Sequence, residues 1–218
     1  GWRVIQGVDY TFGDVSIPAG GYRVLAADAA TFSAKYPGVG NVVSGWTGML
    51  SNKGEEIELR DAGGVLIDSV RFADEGDWAQ RQAGPADPAS PASEIHYGWV
   101  WSAGHAGGGK SLELINPFLP NDCGQNWASS TIDQGTPGQA NSVAAGDLAP
   151  LVSDVSHYPA IPTFLQTVTV TARVVDEKSG GLSVWALYRL DGATGFASIA
   201  MQDDGLHGDG EAGDCVWG

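Results

Sequence analysis

The chain has 218 residues, 32 of them glycine, and 26 acidic side chains against 11 basic ones give it a formal charge of −15. Glycine at roughly twice its usual ~7%, beside abundant Val, Ser, Thr, Trp and Pro, excludes a helical bundle or coiled coil and predicts an all-β protein. Acidity in both halves excludes backbone binding of nucleic acid and disfavours an anionic lipid surface, because each needs a cationic face.

In chain order, WRVIQ from Trp2 reads as a strand, and Pro18, Gly20 and Gly21 turn the chain into a second strand ending near Ala26. Asp28 is placed to cap a short helix whose Phe32 and Tyr36 share one face and which Pro37 and Gly38 stop. A Gly-Trp-Thr-Gly turn at Gly45–Gly48 leads to LSNKGEEIELRD. There Ile57 and Leu59 alternate with Glu56, Glu58 and Arg60, the pattern of a strand with one wet face. Ala62, Gly63 and Gly64 then return the chain as VLIDSVRF, completing a hairpin.

Residues 73–109 are rich in Ala, Pro, Gly and Ser, with little periodicity outside Tyr97–Trp101, and read as a long loop. KSLELI is an alternating strand stopped by Pro117, and GTPG at Gly135–Gly138 is a turn. An Ala/Gly-rich linker is expected over 143–150, separating a domain at 1–142 from one at 151–218. In the latter, TVTVTARV sets Val168, Val170, Ala172 and Val174 on one face. Strands over Leu182–Leu190 and Phe196–Met201 come after it.

GWRVIQGVDYTF, IPAGGYRVLA, LSNKGEEIELRDAGGVLIDSVRF, GKSLELINP, NWASS and GTPGQANS resemble, in that order, the lamin-tail domain of secreted bacterial proteins. The resemblance implies an immunoglobulin-like β-sandwich over 1–142, with the family's opening strand, which would precede Trp2, missing. From APLVSDVSHYPAIP onward the chain is similar to part of an immunoglobulin- or fibronectin-like module, a second, truncated sandwich. Cys215 stands where similar repeats usually carry Gly, and Cys does not accept positive φ at little cost. By the same resemblance the chain is expected to be a non-catalytic adhesion, spacing or tethering segment of a larger secreted or cell-surface bacterial protein. Its expected partner is a protein or a cell-surface or matrix polymer. The alternatives are an accessory module of an extracellular enzyme, such as a CotH-like kinase or a hydrolase, and a calcium-dependent or glycan-binding module.

The candidate chemistry divides by residue type. Gly104–Ser111 spells GHAGGGKS, a literal phosphate-loop match, but LELINP after it reads as a strand where that chemistry requires a helix. Asp203, Asp204, Asp209, Glu211 and Asp214 crowd one Gly-rich segment, and packed carboxylates with flexible backbone suit Ca2+; an acidic hairpin loop is the plainer reading. Trp46, Trp78, Trp99, Trp101 and Trp127 offer flat faces for sugar rings or fill a core. His96, His105, His157 and His207 show no zinc spacing, and Glu55, Glu56, Asp74, Glu75 and Asp77 read as solvated charge. No hydrolase elbow or metalloprotease motif occurs, and an enzyme is not expected. Cys123 and Cys215 fit either one bridge or two thiols. No run reaches the ~18 apolar residues of a membrane span, so no membrane insertion is expected of this segment. Without a signal peptide at Gly1, the chain reads as an internal piece of something longer.

Overall fold

The computed structural model describes residues 1–84, 98–178 and 180–218. The fold is all-β: among the described residues sixteen strands accompany one α-helix of seven residues. The chain forms two compact units, Gly1–Gly146 and Asp147–Gly218.

The first unit is built on a five-stranded antiparallel sheet. Its strands are β1 (Arg3–Ile5), β2 (Val8–Thr11), β5 (Thr47–Gly48), β6 (Gly54–Arg60) and β7 (Leu66–Ala73), in the spatial order β5-β2-β1-β6-β7. β6 and β7 form the expected hairpin, with Ile57 opposite Val70 and Glu55 opposite Phe72. Asp61 closes its turn by accepting the amides of Gly63 and Val65. The wet face expected on β6 is not uniformly wet. Glu58 is the buried residue of that strand, and Arg60 Nε bonds its carboxylate at 2.7 Å. The residues of β6 are half-buried on both faces, and the cation two residues along on the same face as Glu58 neutralises its charge.

A second element was only half legible. β3 (Val24–Ala26) and β4 (Val42–Ser44) pair in parallel, and α1 (Ala29–Lys35) makes the crossover between them. Asp28 caps the helix through the Thr31 amide at 2.7 Å, and the rings of Phe32 and Tyr36 lie 4.9 Å apart, as the spacing predicts. Tyr36 Oη donates to the Gln134 carbonyl at 2.9 Å, which fastens the helix end to the GTPG turn.

The long loop expected over 73–109 contains regular structure. After a 3-10 turn at Gly76–Trp78, β8 (Gln80–Ala83) pairs antiparallel with β9 (Trp99–Ser102), Gln80 facing Ser102 and Ala83 facing Trp99. The centre of that segment, 85–97, with His96 and Tyr97, lies outside the described residues. β10 (Leu112–Leu114) comes next and pairs with β11 (Trp127–Ser129).

In the second unit β12 (Leu151–Tyr158), β13 (Thr169–Val175) and β16 (Val216–Trp217) form one sheet, and β14 (Trp185–Tyr188) with β15 (Ala197–Ala200) a hairpin. Ala172, Val174 and Met201 are its core, joined by Val170, Leu182, Val184, Ala186 and Trp217. The alternation read from TVTVTARV thus does place Val170, Ala172 and Val174 inward, while Val168, just before β13, remains 40% exposed.

Candidate functional site

The phosphate-loop match, the acidic segment and the tryptophans each have a definite environment in the structure. Gly104–Ser111 enters β10, a strand, so no helix N-terminus faces the loop. Lys110 Nζ donates to the carbonyls of Ser130 at 2.7 Å and Thr131 at 3.4 Å, and the Ser111 hydroxyl donates to Glu113 at 3.0 Å. The groups that would hold a phosphate and its magnesium are engaged in joining β10 to the segment after β11.

Glu113 is the centre of that junction, and nothing in the sequence singles it out. Only 4% exposed, its carboxylate accepts from the hydroxyls of Ser111, Thr136 and Ser142 and from the Thr136 and Ser142 amides. Burial alone pushes its pKa up. The bonds from Ser142, Thr136 and Ser111 and the Ser142 amide outweigh burial and hold it below the usual glutamate value. The same site requires a glycine: Gly135 has φ of +74°, and a Cβ there would collide with the Ser111 side chain.

The acidic segment between β15 and β16 brings four of the five candidate calcium ligands into one knot of backbone bonds. Asp209, 2% exposed, accepts the amides of Asp204, Gly205 and His207 at 2.7–2.9 Å. Asp203 accepts those of Gly213 and Cys215, and Asp214 those of Glu211 and Val216. Asp204 accepts the Leu206 amide and lies 2.8 Å from His207 Nδ1. Glu211 contributes its amide to this knot and no carboxylate bond that the geometry places there. Gly205, Gly208, Gly210 and Gly213 all have φ between 74° and 101°, the conformation that turns successive amides inward. These bonds favour the charged forms: the Gly205 amide leads in lowering the pKa of Asp209, the His207 ring leads in lowering that of Asp204, and that of His207 is raised in turn. Among the described residues no three His, Cys, Asp or Glu side chains are grouped to hold a metal ion. Asp203, Asp204, Asp209, Glu211 and Asp214 do not converge on one point in the manner that an ion of six to eight oxygen ligands requires.

Cys215 has φ of +72°, a left-handed conformation that favours glycine. Neither Cys123, buried, nor Cys215, exposed, is in a disulfide.

The tryptophans separate. Trp99 and Trp101 stand on one face of the β8–β9 hairpin, 60% and 39% exposed, with the Arg81 guanidinium 4.1 Å from the Trp99 ring centre. Trp78 and Trp127 meet instead, ring centres 5.7 Å apart and planes tilted by 38°. They line a cleft of about 680 Å³ with Asp77, Gln80, Lys110 and Gln125. The two turns that carry these side chains are held by backbone contact: a Cβ on Gly124 would lie 2.7 Å from the Asp77 carbonyl carbon, so the turn at Gly76–Trp78 and the 3-10 turn at Gly124–Asn126 touch main chain to main chain. Asn126, fully buried, ties that second turn to the carbonyls of Asn116, Leu119 and Pro120, and the Trp127 indole N–H donates to Asn121 at 2.9 Å. Across the cleft mouth Gln125 Nε2 donates to Asp77 Oδ2 at 3.1 Å. His105 has its Nε2 bonded to the Ala73 carbonyl at 3.0 Å and its Nδ1 3.4 Å from Ser129 Oγ.

No helix among the described residues is long and apolar enough to cross a membrane. No family model, curated protein or solved structure matches the chain.

Proposed function

We propose that this chain is a non-catalytic adhesion or tethering segment of a larger secreted or cell-surface bacterial protein. Its first unit is a lamin-tail-type, immunoglobulin-like sandwich and its second an immunoglobulin- or fibronectin-like module. The single observation that carries the reading is where the reactive side chains go. Glu113, Lys110, Asp203, Asp209 and Asp214 all bond main-chain groups that hold loops in place. Such use leaves a rigid scaffold with side chains presented on its loops and turns, the arrangement of a binding module. The segments on which the lamin-tail resemblance rests also meet in space: GKSLELINP pairs with NWASS, and Glu113 of the first bonds Thr136 and Ser142 of GTPGQANS.

The test is co-sedimentation of the intact chain with purified bacterial cell walls and with insoluble cellulose. Retention on one of them, with the polymer left chemically unchanged over hours, is the expected result. Release of soluble fragments, or turnover of ATP, would replace the reading with an enzymatic one.

A further inference from the structure

The cleft at Trp78 and Trp127 has the composition of a sugar site, and we infer that it takes a neutral pyranose oligosaccharide; this deepens the adhesion reading and rests on it. The inference starts from the two indoles. They are half-buried and tilted against each other, so each keeps part of a ring for the cleft it lines. Flat apolar faces with a polar edge stack on the C–H face of a pyranose. Around them stand planar polar groups: the Gln125 amide and the Asp77 carboxylate, oriented by their mutual bond at 3.1 Å, and exposed Gln80 across the mouth. Amides and carboxylates held in a fixed plane read pairs of adjacent hydroxyls, as donors and acceptors together.

Size and charge narrow the class. About 680 Å³ lies within the range of small-molecule sites and leaves room for more than one sugar ring. Asp77 at the rim and a chain charge of −15 oppose uronates, sialates and nucleotides. Lys110, the cation of the cleft, already donates to two carbonyls, so an acidic ligand would compete for a committed ammonium group. Rigidity favours binding as well: the Gly124–Asp77 contact and the Asn126 bonds brace the two turns that carry Asp77, Trp78, Gln125 and Trp127 before a ligand arrives, which lowers the ordering cost.

The test titrates the intact chain with cellotetraose, chitotetraose and mannotetraose, and with tetragalacturonate as the charged control, following tryptophan emission and heat. At least one neutral tetrasaccharide is expected to bind with Kd between about 10 μM and 1 mM. Gln80→Ala and Gln125→Ala should each weaken it about fivefold or more with melting temperature retained, while Arg81→Ala, on the other face of the hairpin, should leave it unchanged. Gln80→Ala is decisive, because its side chain makes no part of the contact between the two turns. No neutral sugar binding at about 10 mM, or wild-type affinity in both Gln variants, or tighter binding of tetragalacturonate, would overturn the inference. Retention on cell walls without binding of the soluble sugars would overturn the cleft assignment alone and leave the adhesion reading standing.

Discussion

Glu113 shows how a buried charge can be structural. Five donors converge on it from three separate segments, and removing the carboxylate would leave hydroxyls and amides facing a void. Glu113→Ala should therefore lower the unfolding free energy of the first unit by about 2–4 kcal/mol, measured by urea denaturation. The pH dependence has a definite sign. Because the folded value is lowered, the stabilisation is present above the ordinary glutamate value of 4.5 and is lost as pH falls below it. Cys215 predicts the opposite kind of change. A non-glycine residue at φ of +72° carries a left-handed penalty that Gly would not, offset by the greater unfolded-state entropy of Gly. Cys215→Gly should raise stability by up to about 1 kcal/mol, read as a higher melting temperature. Cys215 takes its left-handed conformation at the position where the resemblance implies Gly. Glu113 was not legible, since its partners Thr136 and Ser142 lie 23 and 29 residues away and nothing local marks them.

Among the elements, long alternating strands and capped turns were readable, and irregular ones were not. β6, β7 and β13 form where the sequence places strands, and β13 keeps its period-two burial, whereas β12 is hidden because its register shifts between Ser153 and Ser156 and Asp154 has φ of +51°, which breaks the alternation. The parallel β3–β4 pair depends on a tertiary crossover that no local signal encodes. Carboxylates that alternate with glycine suit a cation, and the same spacing serves a loop whose amides supply compensating positive charge; the backbone bonds to Asp203 and Asp209 have the second character. Melting the protein in millimolar Ca2+ and in EDTA should accordingly give equal midpoints, and a rise with Ca2+ would show that the ion rearranges the loop. The loop also has a pH window. Lowered Asp204 and Asp209 contribute stability above the ordinary aspartate value of 3.8, lost as pH falls through it. Raised His207 contributes below its ordinary 6.5, and that part fades as pH rises through the folded value. The His207–Asp204 pair is solvent-exposed, so the alkaline decline should be small, and His207→Gln should abolish it in a plot of melting temperature against pH. At the cleft, Gly124→Ala should push the two 3-10 turns apart, weakening sugar binding and shifting tryptophan emission together.

At the scale of the molecule, composition sets the terms of binding. A charge of −15 spread over both units opposes polyanions, which is why the proposed reading gives the chain a neutral polymer. The fold holds its charged side chains in loop-fixing bonds and leaves an aromatic cleft open, a division invisible in the sequence, where Trp78 and Trp127 were two among eight tryptophans. Only the meeting of two short turns at Gly124 brings them together. The measurement that bears most directly on this account is co-sedimentation of the intact chain with cell walls or cellulose, repeated with a soluble neutral tetrasaccharide as competitor. The account predicts retention that the competitor releases and that Gln80→Ala weakens. Retention indifferent to both, or no retention on either polymer, would contradict it.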